Sequence, residues 1–333
     1  MPPETNANRT STGDERQNTA QDRRNASMIH AHGPIIGALL HDPKVTDIML
    51  NADGTLWCEE HGKGRRKVGE LSPSRAESLI RLLASHMGAE ATREHPTVSG
   101  VLPGTNARFQ GVLPPVSQRP VFAIRKPAQV VYTLDDFVRD GILSHQGADT
   151  LREAIERRIN LLIAGGTGSG KTTLANGCLA EPAFCRDRVV LIEDTRELQC
   201  SAEDHVELLA PPLLPNVPMD ELLRTTLRLF PTRIVVGEVR GKEALTMIKA
   251  WGTGHPGGLC TIHANGPRDA LYQLEEYIGE VAVTPPRRSI ARAVGLVVFI
   301  ERGTFNDAGR RVTGMTRPSI GTNGDYVFED LTM

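Results

Sequence analysis

The chain contains a complete phosphate-loop pattern, G-x-x-x-x-G-K-[ST], in the run Gly165-Gly166-Thr167-Gly168-Ser169-Gly170-Lys171-Thr172. In such a loop, glycines let backbone N–H groups turn inward and donate to phosphate oxygens. A lysine at the position of Lys171 places a positive charge on the β- and γ-phosphates, and a hydroxyl at the position of Thr172 can ligate Mg²⁺. The pattern therefore predicts a site for a nucleoside triphosphate and Mg²⁺.

The segments on either side of the loop have the patterns of the strand and the helix that such a loop needs. The apolar run Ile159-Asn160-Leu161-Leu162-Ile163-Ala164 is short enough for a buried strand. The residues from Thr173 to Leu179 can begin a helix, whose N-terminus favours bound anions. A strand, a loop and a helix in this order distinguish the pattern from a glycine-rich turn.

Two acidic segments follow apolar runs downstream of the loop. Glu197 ends the segment Ile192-Glu193-Asp194-Thr195-Arg196-Glu197, and Glu238 follows the run Ile234-Val235-Val236. Phosphoryl-transfer sites place a carboxylate at the end of a neighbouring strand, where it holds Mg²⁺ or orients water. Glu197 and Glu238 are candidates for that role, with Glu238 in a degenerate Walker B position. The alternative is that acids follow strands because strands end at the surface.

A glycine-rich segment with two histidines comes next, from Thr253 to Asn265. His255 or His263 could sense a γ-phosphate or relay a proton of water. The alternative is a histidine whose hydrogen bonds are satisfied within a turn.

Composition limits the classes of protein to which the chain can belong. Its 333 residues suggest about two domains, and no apolar run approaches the length of a membrane span. The net charge of −2 and the 4% aromatic content argue against a track for nucleic-acid bases. The 5 cysteines are scattered, which suggests reduced thiols in a cytoplasm.

The patterns divide the chain into four segments. Residues 1–27 are polar and predict a disordered tail. Residues 28–126 predict an α+β domain, 127–134 a linker, and 135–333 a mostly parallel α/β domain with its ligand at the carboxyl ends of the strands. The basic cluster from Lys63 to Lys67 is expected in a hairpin turn, as a solvated loop or, in the minority interpretation, as a contact with anionic lipid or a partner.

These segments, in this order, resemble the secretion-ATPase superfamily, and within it the conjugal-transfer and type IV secretion ATPases of the TrbB type. The resemblance covers about residues 28–330 and includes the first-domain segments Asp47–Asn51, Arg108–Pro115 and Ile124–Pro127. Pro231-Thr232-Arg233 departs from that family's Pro-Asp-Arg and keeps the arginine. The missing four-cysteine insertion of many type II secretion ATPases favours the conjugation branch.

The resemblance implies a homohexameric ring of subunits, each with a RecA-like P-loop ATPase domain after a smaller N-terminal α+β domain. It implies a cytoplasmic motor, peripheral to the membrane at most, that works with inner-membrane components of a secretion or conjugation apparatus. ATP and Mg²⁺ would be bound by Gly165, Gly166, Thr167, Gly168, Ser169, Gly170, Lys171, Thr172 and Thr173. Glu238 would polarise water and approach the metal through it, Glu197 would assist with metal or water, and His263 would report the γ-phosphate. Arg108 and Arg125 would act as arginine fingers.

Three alternatives remain open at this point. The first is a DNA-dependent ATPase of recombinase or helicase type, although no sequence-specific nucleic-acid binding is expected. The second is a motor ATPase of type IV pili or type II secretion, and the third is a scaffold that holds nucleotide without turnover. A GTPase is disfavoured, because the sequence has no N-K-x-D motif for reading guanine.

Overall fold

The computed structural model describes residues 33–60, 64–102, 105–127, 131–210 and 217–332. Its contacts divide the chain into two units after Pro127, within the range expected for a linker. The expected disordered tail, residues 1–27, lies outside the described residues.

The first unit is built on a six-stranded antiparallel sheet in the order β3-β2-β1-β6-β5-β4. Two helices, α1 and α2, share one hydrophobic core with one face of this sheet, so strand residues alternate between buried and open positions. The elements are α1 (Gly33–His41), β1 (Val45–Leu50), β2 (Thr55–Glu60), β3 (Gly64–Glu70), α2 (Pro73–His86), β4 (Thr97–Val101), β5 (Arg108–Val112) and β6 (Val121–Arg125).

Helix α2 shows how local sequence determines an element of this unit. Ser72 caps its start and accepts the backbone N–H of Arg75 at 3.4 Å, and Pro73 occupies the first turn, where no N–H is needed. The helix buries its apolar face in the core through Ala76, Leu79, Ile80 and Leu83. The spacing of these four residues in the sequence predicts a helix here, and that prediction is confirmed.

The basic cluster lies on a strand and not in a turn. Arg65, Arg66 and Lys67 belong to β3, while Lys63 lies outside the described residues. Arg65 pairs with Glu59 at 3.1 Å and Arg66 with Glu60 at 2.6 Å, both across the β2–β3 hairpin. The prediction of a turn is therefore wrong for these residues, because β3 begins at Gly64, and their charges are balanced by acids within the same hairpin.

The second unit has an eight-stranded sheet in the order β14-β13-β12-β7-β11-β10-β8-β9. Strands β12, β7, β11, β10, β8 and β9 are parallel, and β13 and β14 add an antiparallel edge. The elements are α3 (Leu134–Arg139), α4 (His145–Glu156), β7 (Leu161–Gly165), α5 (Lys171–Leu179), α6 (Pro182–Cys185), β8 (Val189–Glu193), β9 (His205–Leu209), α7 (Met219–Thr226), β10 (Arg233–Val239), α8 (Glu243–Gly252), β11 (Leu259–His263), α9 (Asp269–Gly279), α10 (Arg287–Ala293), β12 (Leu296–Arg302), β13 (Arg310–Ile320) and β14 (Tyr326–Asp330).

Helices cover both faces of this sheet and give it two hydrophobic cores. Helices α3 to α6 pack on one face, where the core includes Leu151, Leu174 and Ile300. Helices α7 to α10 pack on the other face, where the core includes Trp251 and Leu274. Because strand β7 is buried on both faces, its sequence is an uninterrupted apolar run.

Arg233 anchors the amino-terminal end of β10, at the end of the strand away from Glu238. The side chain is 1% exposed and pairs with Asp187 at 2.6 Å. It also donates to the carbonyls of Ile155 and Ala183, and its guanidinium lies 4.3 Å from the ring centre of Phe184. Asp187 thus supplies the salt bridge of this arginine, and removing either partner would leave a buried charge at a cost of about 3–5 kcal/mol.

Candidate functional site

The topology of the second unit brings the candidate residues of that unit to one edge of the sheet. Strands β7, β11, β10 and β8 are parallel neighbours, so their carboxyl ends lie side by side. The phosphate loop follows β7, His263 ends β11, Glu238 lies near the end of β10, and Glu193 ends β8. Ligands of open α/β sheets bind at this edge.

The backbone of the loop has the shape that its glycines predict. Gly168 and Gly170 have φ angles of 70° and 104°, which only glycine adopts without strain. A Cβ on Gly165 would lie 2.1 Å from the carbonyl oxygen of Ile300, so this position accepts no side chain. Gly166 and Thr167 are exposed, whereas Thr172 and Thr173 are half-buried in the first turn of α5.

Two polar side chains of the loop point into protein and not into solvent. Ser169 is 2% exposed, and its hydroxyl oxygen is buried without a hydrogen-bond partner in the described part of the chain. Lys171 is 7% exposed and donates from Nζ to the carbonyl oxygens of Gly165 and Gly166, each at 3.0 Å. The loop therefore holds one buried positive charge and one unpartnered hydroxyl beside its turning backbone, a polar environment suited to phosphate oxygens.

His263 lies between Lys171 and Glu238. Its Nδ1 is 3.3 Å from Lys171 Nζ, and its Nε2 is 2.9 Å from Glu238 Oε1. Burial lowers the pKa of His263, and Lys171 lowers it further, while Glu238 acts in the opposite direction. An imidazole protonated only at Nε2 can accept from the ammonium at Nδ1. Glu238 Oε1, beside Nε2, is buried and has no hydrogen-bond partner in the described part of the chain.

Glu238 is held by charged neighbours on both sides of its carboxylate. Its side chain is 14% exposed, and Oε2 accepts a hydrogen bond from Arg240 Nη2. The other terminal nitrogen of Arg240 donates to Asp194 at 2.6 Å. Arg240 thereby joins the ends of β10 and β8, so the acid that the sequence predicts as catalytic is fixed in position by an arginine two residues later.

Glu197 lies beside the phosphate loop. Thr172 Oγ1 donates to Glu197 Oε2 at 3.2 Å, and Asn176 Nδ2 donates to the backbone carbonyl of Glu197 at 3.0 Å. A hydroxyl and a carboxylate this close are oxygen ligands of the kind that Mg²⁺ prefers. The donor set therefore fits Mg²⁺, which usually takes only one or two protein ligands and completes its shell with phosphate and water.

Glu193 is a residue whose part in this site the sequence interpretation missed. It is 5% exposed, and its Oε1 accepts the backbone N–H groups of Glu197 at 3.0 Å and Leu198 at 2.8 Å. Burial raises the pKa of Glu193 to about 7, although these two hydrogen bonds oppose the rise. Its signal in the sequence is its place as the first polar residue after four apolar residues of β8.

His255 has a structural surrounding and lies outside this cluster of contacts. Its Nδ1 is 3.2 Å from the carbonyl oxygen of Pro231, in the turn before β10. It is the satisfied turn histidine of the alternative interpretation, whereas His263 is the histidine that reaches the loop.

Arg108 and Arg125 lie in the first unit, side by side in the sheet. They are register partners on β5 and β6, and Asp47 of β1 is the partner of Arg125 on its other side. Their neighbours along the strands, Phe109 and Ile124, are core residues, so by alternation both arginines project from the face opposite the core. Arg125 is exposed, and none of the described residues forms an ion pair with it.

The fold and the site define a RecA-like P-loop protein with a smaller N-terminal α+β domain, as the sequence predicts. A family model described as "Type II/IV secretion system protein" matches residues 98–300. The chain belongs to this family, and the resemblance drawn from the sequence is confirmed.

Named relatives point to one branch of the family. The chain is 44% identical to a "Probable conjugal transfer protein TrbB" of Sinorhizobium fredii (strain NBRC 101917 / NGR234), over 90% of this chain and 91% of that protein. It is 46% identical to the "Conjugal transfer protein TrbB" of Rhizobium radiobacter, over 87% of this chain and 88% of that protein. The structure of the Legionella pneumophila ATPase DotB aligns with a TM-score of 0.55 at 18% identity, over 87% of this chain and 77% of that one, which shows a common fold.

No helix in the described ranges is both long enough and apolar enough to cross a bilayer.

Proposed function

We propose that this protein hydrolyses ATP and that the hydrolysis powers a conjugative type IV secretion apparatus. The observation that carries the proposal is the convergence of Lys171, His263 and Glu238 at the phosphate loop, with contacts of 3.3 and 2.9 Å. A cation for the phosphates and a carboxylate for water are recurring parts of phosphoryl-transfer sites, and here a histidine lies between them.

The chemistry follows from these positions. The oxygen of a water molecule attacks the γ-phosphorus, the bond between that phosphorus and the β–γ bridging oxygen breaks, and ADP and phosphate leave. Glu238 accepts the proton of the water, and Lys171 balances negative charge on the β- and γ-oxygens. His263 lies between these two groups, 3.3 Å from Lys171 Nζ and 2.9 Å from Glu238 Oε1, so a change at the γ-phosphate can reach the carboxylate through it.

Thr172 and Glu197 are the residues that would hold Mg²⁺, and bound Mg²⁺ would neutralise charge on the β- and γ-phosphates. Glu193 fixes the backbone of the segment that carries Glu197. Arg240 fixes the carboxylate of Glu238 against Asp194. We propose Arg108 and Arg125 as phosphate ligands from the family resemblance alone. The structure gives only their neighbours within the first unit.

The role in conjugation is supported by the two relatives named as conjugal transfer proteins, which align over 87–90% of this chain. We further propose a homohexameric ring on the cytoplasmic side of the inner membrane, which drives substrate transfer or pilus assembly together with membrane components of the apparatus. The ring and its location at the inner membrane both rest on the family resemblance.

The test is steady-state ATPase activity of the full chain, measured against its oligomeric state by size-exclusion chromatography with light scattering. Activity that depends on Mg²⁺, rises with assembly and is lost in Lys171→Ala supports the proposal. Separate arms add single-stranded DNA or vesicles containing anionic lipid. Stimulation by single-stranded DNA that disappears steeply with salt would favour the DNA-dependent ATPase instead.

A further inference from the structure

A hairpin on the other side of the phosphate loop carries two arginines that the proposed mechanism does not use. Strand β12 pairs with β7 on the side away from β11, and β13 pairs with β12. Arg302 ends β12, Arg310 begins β13, and the two are register partners. We call this pair the arginine flank.

The register places both arginines on the face that carries the phosphate-loop helix. Ile300 and Val312 are also register partners, and both belong to the core that contains Leu174 of α5. Arg302 is two residues beyond Ile300, and Arg310 is two residues before Val312. Since side chains two apart in a strand share a face, both arginines leave the sheet beside the start of α5.

Close approaches to the loop agree with this placement. A Cβ built on Gly168 would lie 3.3 Å from Arg302 Nη1. A Cβ built on Gly170 would lie 3.1 Å from Arg310 Nη1 and 3.4 Å from its Cδ. The two guanidinium groups therefore lie directly against the glycines whose backbone N–H groups form the cradle.

Arg302 is exposed, and no carboxylate among the described residues forms an ion pair with it. Its guanidinium is therefore open to an anion bound at the loop. Arg310 donates from Nε to the carbonyl oxygen of Ala308 at 3.3 Å.

We propose that Arg302 and Arg310 bind phosphate oxygens of the nucleotide held by the loop. A guanidinium presents a planar set of donors that matches phosphate oxygens in pairs, and it lies here within reach of a loop built for the same groups. The inference rests on the proposed function, because it adds two nucleotide-binding residues to the same site. It makes the second unit a source of arginine contacts that is independent of Arg108 and Arg125.

The test compares nucleotide binding and turnover of the full chain with Arg302→Ala, Arg310→Ala and Arg311→Ala. Arg311 is the matched control, because it has the same charge and is adjacent to Arg310 on β13. It is the register partner of Glu301, so its side chain lies on the other face of the sheet from Arg310. Isothermal titration calorimetry with ADP gives Kd, and steady-state assays give KM for ATP and kcat.

Loss of one charge-assisted contact to phosphate is expected to raise Kd for ADP about tenfold in Arg302→Ala and in Arg310→Ala. KM for ATP rises by the same factor with little change in kcat, because the contact exists in the ground state as well as in the transition state. Arg302→Lys recovers part of the affinity, and Arg311→Ala binds ADP as the wild type does. Thermal melting of each variant checks that the fold is kept.

The outcomes separate the two proposals. If the wild type binds ADP and hydrolyses ATP while both alanine variants keep its Kd and KM, the arginine flank is no part of the nucleotide site and this inference is overturned. If the wild type binds neither ADP nor ATP, the proposed function fails and the inference fails with it. An equal loss of affinity in Arg311→Ala would show a general effect of charge and would also overturn the inference.

Discussion

The two sides of the phosphate loop have opposite chemistry. On the side of β11, β10 and β8 the strand ends carry Glu238, Glu193, Asp194 and Glu197, which we call the acidic flank. On the side of β12 and β13 lies the arginine flank, Arg302 and Arg310. Lys171 lies in the loop between them. In the proposed mechanism the acidic flank serves metal, water and catalysis, and the role proposed for the arginine flank is binding of the nucleotide.

The flanks also differ in how their charges are held. The acidic flank is a network, in which Arg240 joins Glu238 to Asp194 and Glu193 holds the backbone of Glu197. Arg302 has no such support, as it is exposed and forms no ion pair with the described residues. Substitutions in the acidic flank should therefore change kcat and local stability, and substitutions in the arginine flank should change affinity.

The largest effect is expected at the residue between the flanks. Lys171→Ala removes the buried charge that the mechanism places on the β- and γ-phosphates, so it should abolish ATP hydrolysis and weaken nucleotide binding. Phosphate release under steady-state conditions measures the first effect and calorimetry with ADP the second. Hydrolysis that continues at the wild-type rate would contradict the assignment of the protein as an ATPase.

The acidic flank is tested most directly by Glu238→Gln, which keeps the shape of the side chain and removes its charge and basicity. Turnover should fall by at least about 10²-fold while ATP still binds, because a positioned base acts in the transition state. Glu197→Gln is the comparison within the same flank and should need a higher Mg²⁺ concentration for half-maximal activity, because it removes a proposed ligand of the metal. Normal turnover in Glu238→Gln would make Glu238 structural and Glu197 the catalytic candidate.

The acidic flank could be found from the sequence because its signals are local. Glu238 follows Ile234-Val235-Val236, and the acidic segment follows a second apolar run, so each residue is marked by the strand that precedes it. The same is true of the loop, whose pattern is continuous. The fold class follows from the alternation of such runs with helical segments.

The arginine flank gave no such signal. Arg302 and Arg310 are separated from the loop by more than 120 residues of sequence, and only the pairing of β12 with β7 brings them beside it. Edge strands β13 and β14 are likewise determined by pairing across the sheet and not by local pattern. Glu193 and Arg240 were visible within motifs, but their roles depend on hydrogen bonds to segments that the sequence alone does not place together.

Arg125 of the first unit gives a further test of the difference between nucleotide binding and catalysis. If Arg125 acts as an arginine finger, Arg125→Ala should lower kcat by about tenfold or more, an effect on turnover that the arginine flank should not share. The first unit should stay folded, since Arg125 is exposed and projects from the face opposite the core. Arg119, exposed between β5 and β6, is the matched control. Wild-type kcat in Arg125→Ala would remove the residue from the catalytic set.

The smallest effect is expected deep in the acidic flank, where Glu193 carries a buried carboxyl group. Its pKa in the folded protein is about 7, raised by burial, against an ordinary value of 4.5. A carboxyl with a raised pKa contributes stability that is fully present below the unfolded pKa and is lost as the pH rises through the folded pKa. The wild type should therefore lose stability between about pH 4.5 and pH 7 through this group, by an amount on the order of 3 kcal/mol.

Glu193→Gln removes this titration and keeps an oxygen that can accept the N–H groups of Glu197 and Leu198. At pH 5 the variant and the wild type should melt at similar temperatures, because the protonated acid and the amide are alike in charge. At pH 8 the variant should melt about 5 °C higher, since it buries no charge. Thermal unfolding without nucleotide or Mg²⁺ measures the difference, and Glu203→Gln, at an exposed acid, should give none at either pH. A Glu193→Gln difference that is the same at pH 5 and pH 8 would show that Glu193 does not titrate between these values, and would contradict a folded-state pKa of about 7.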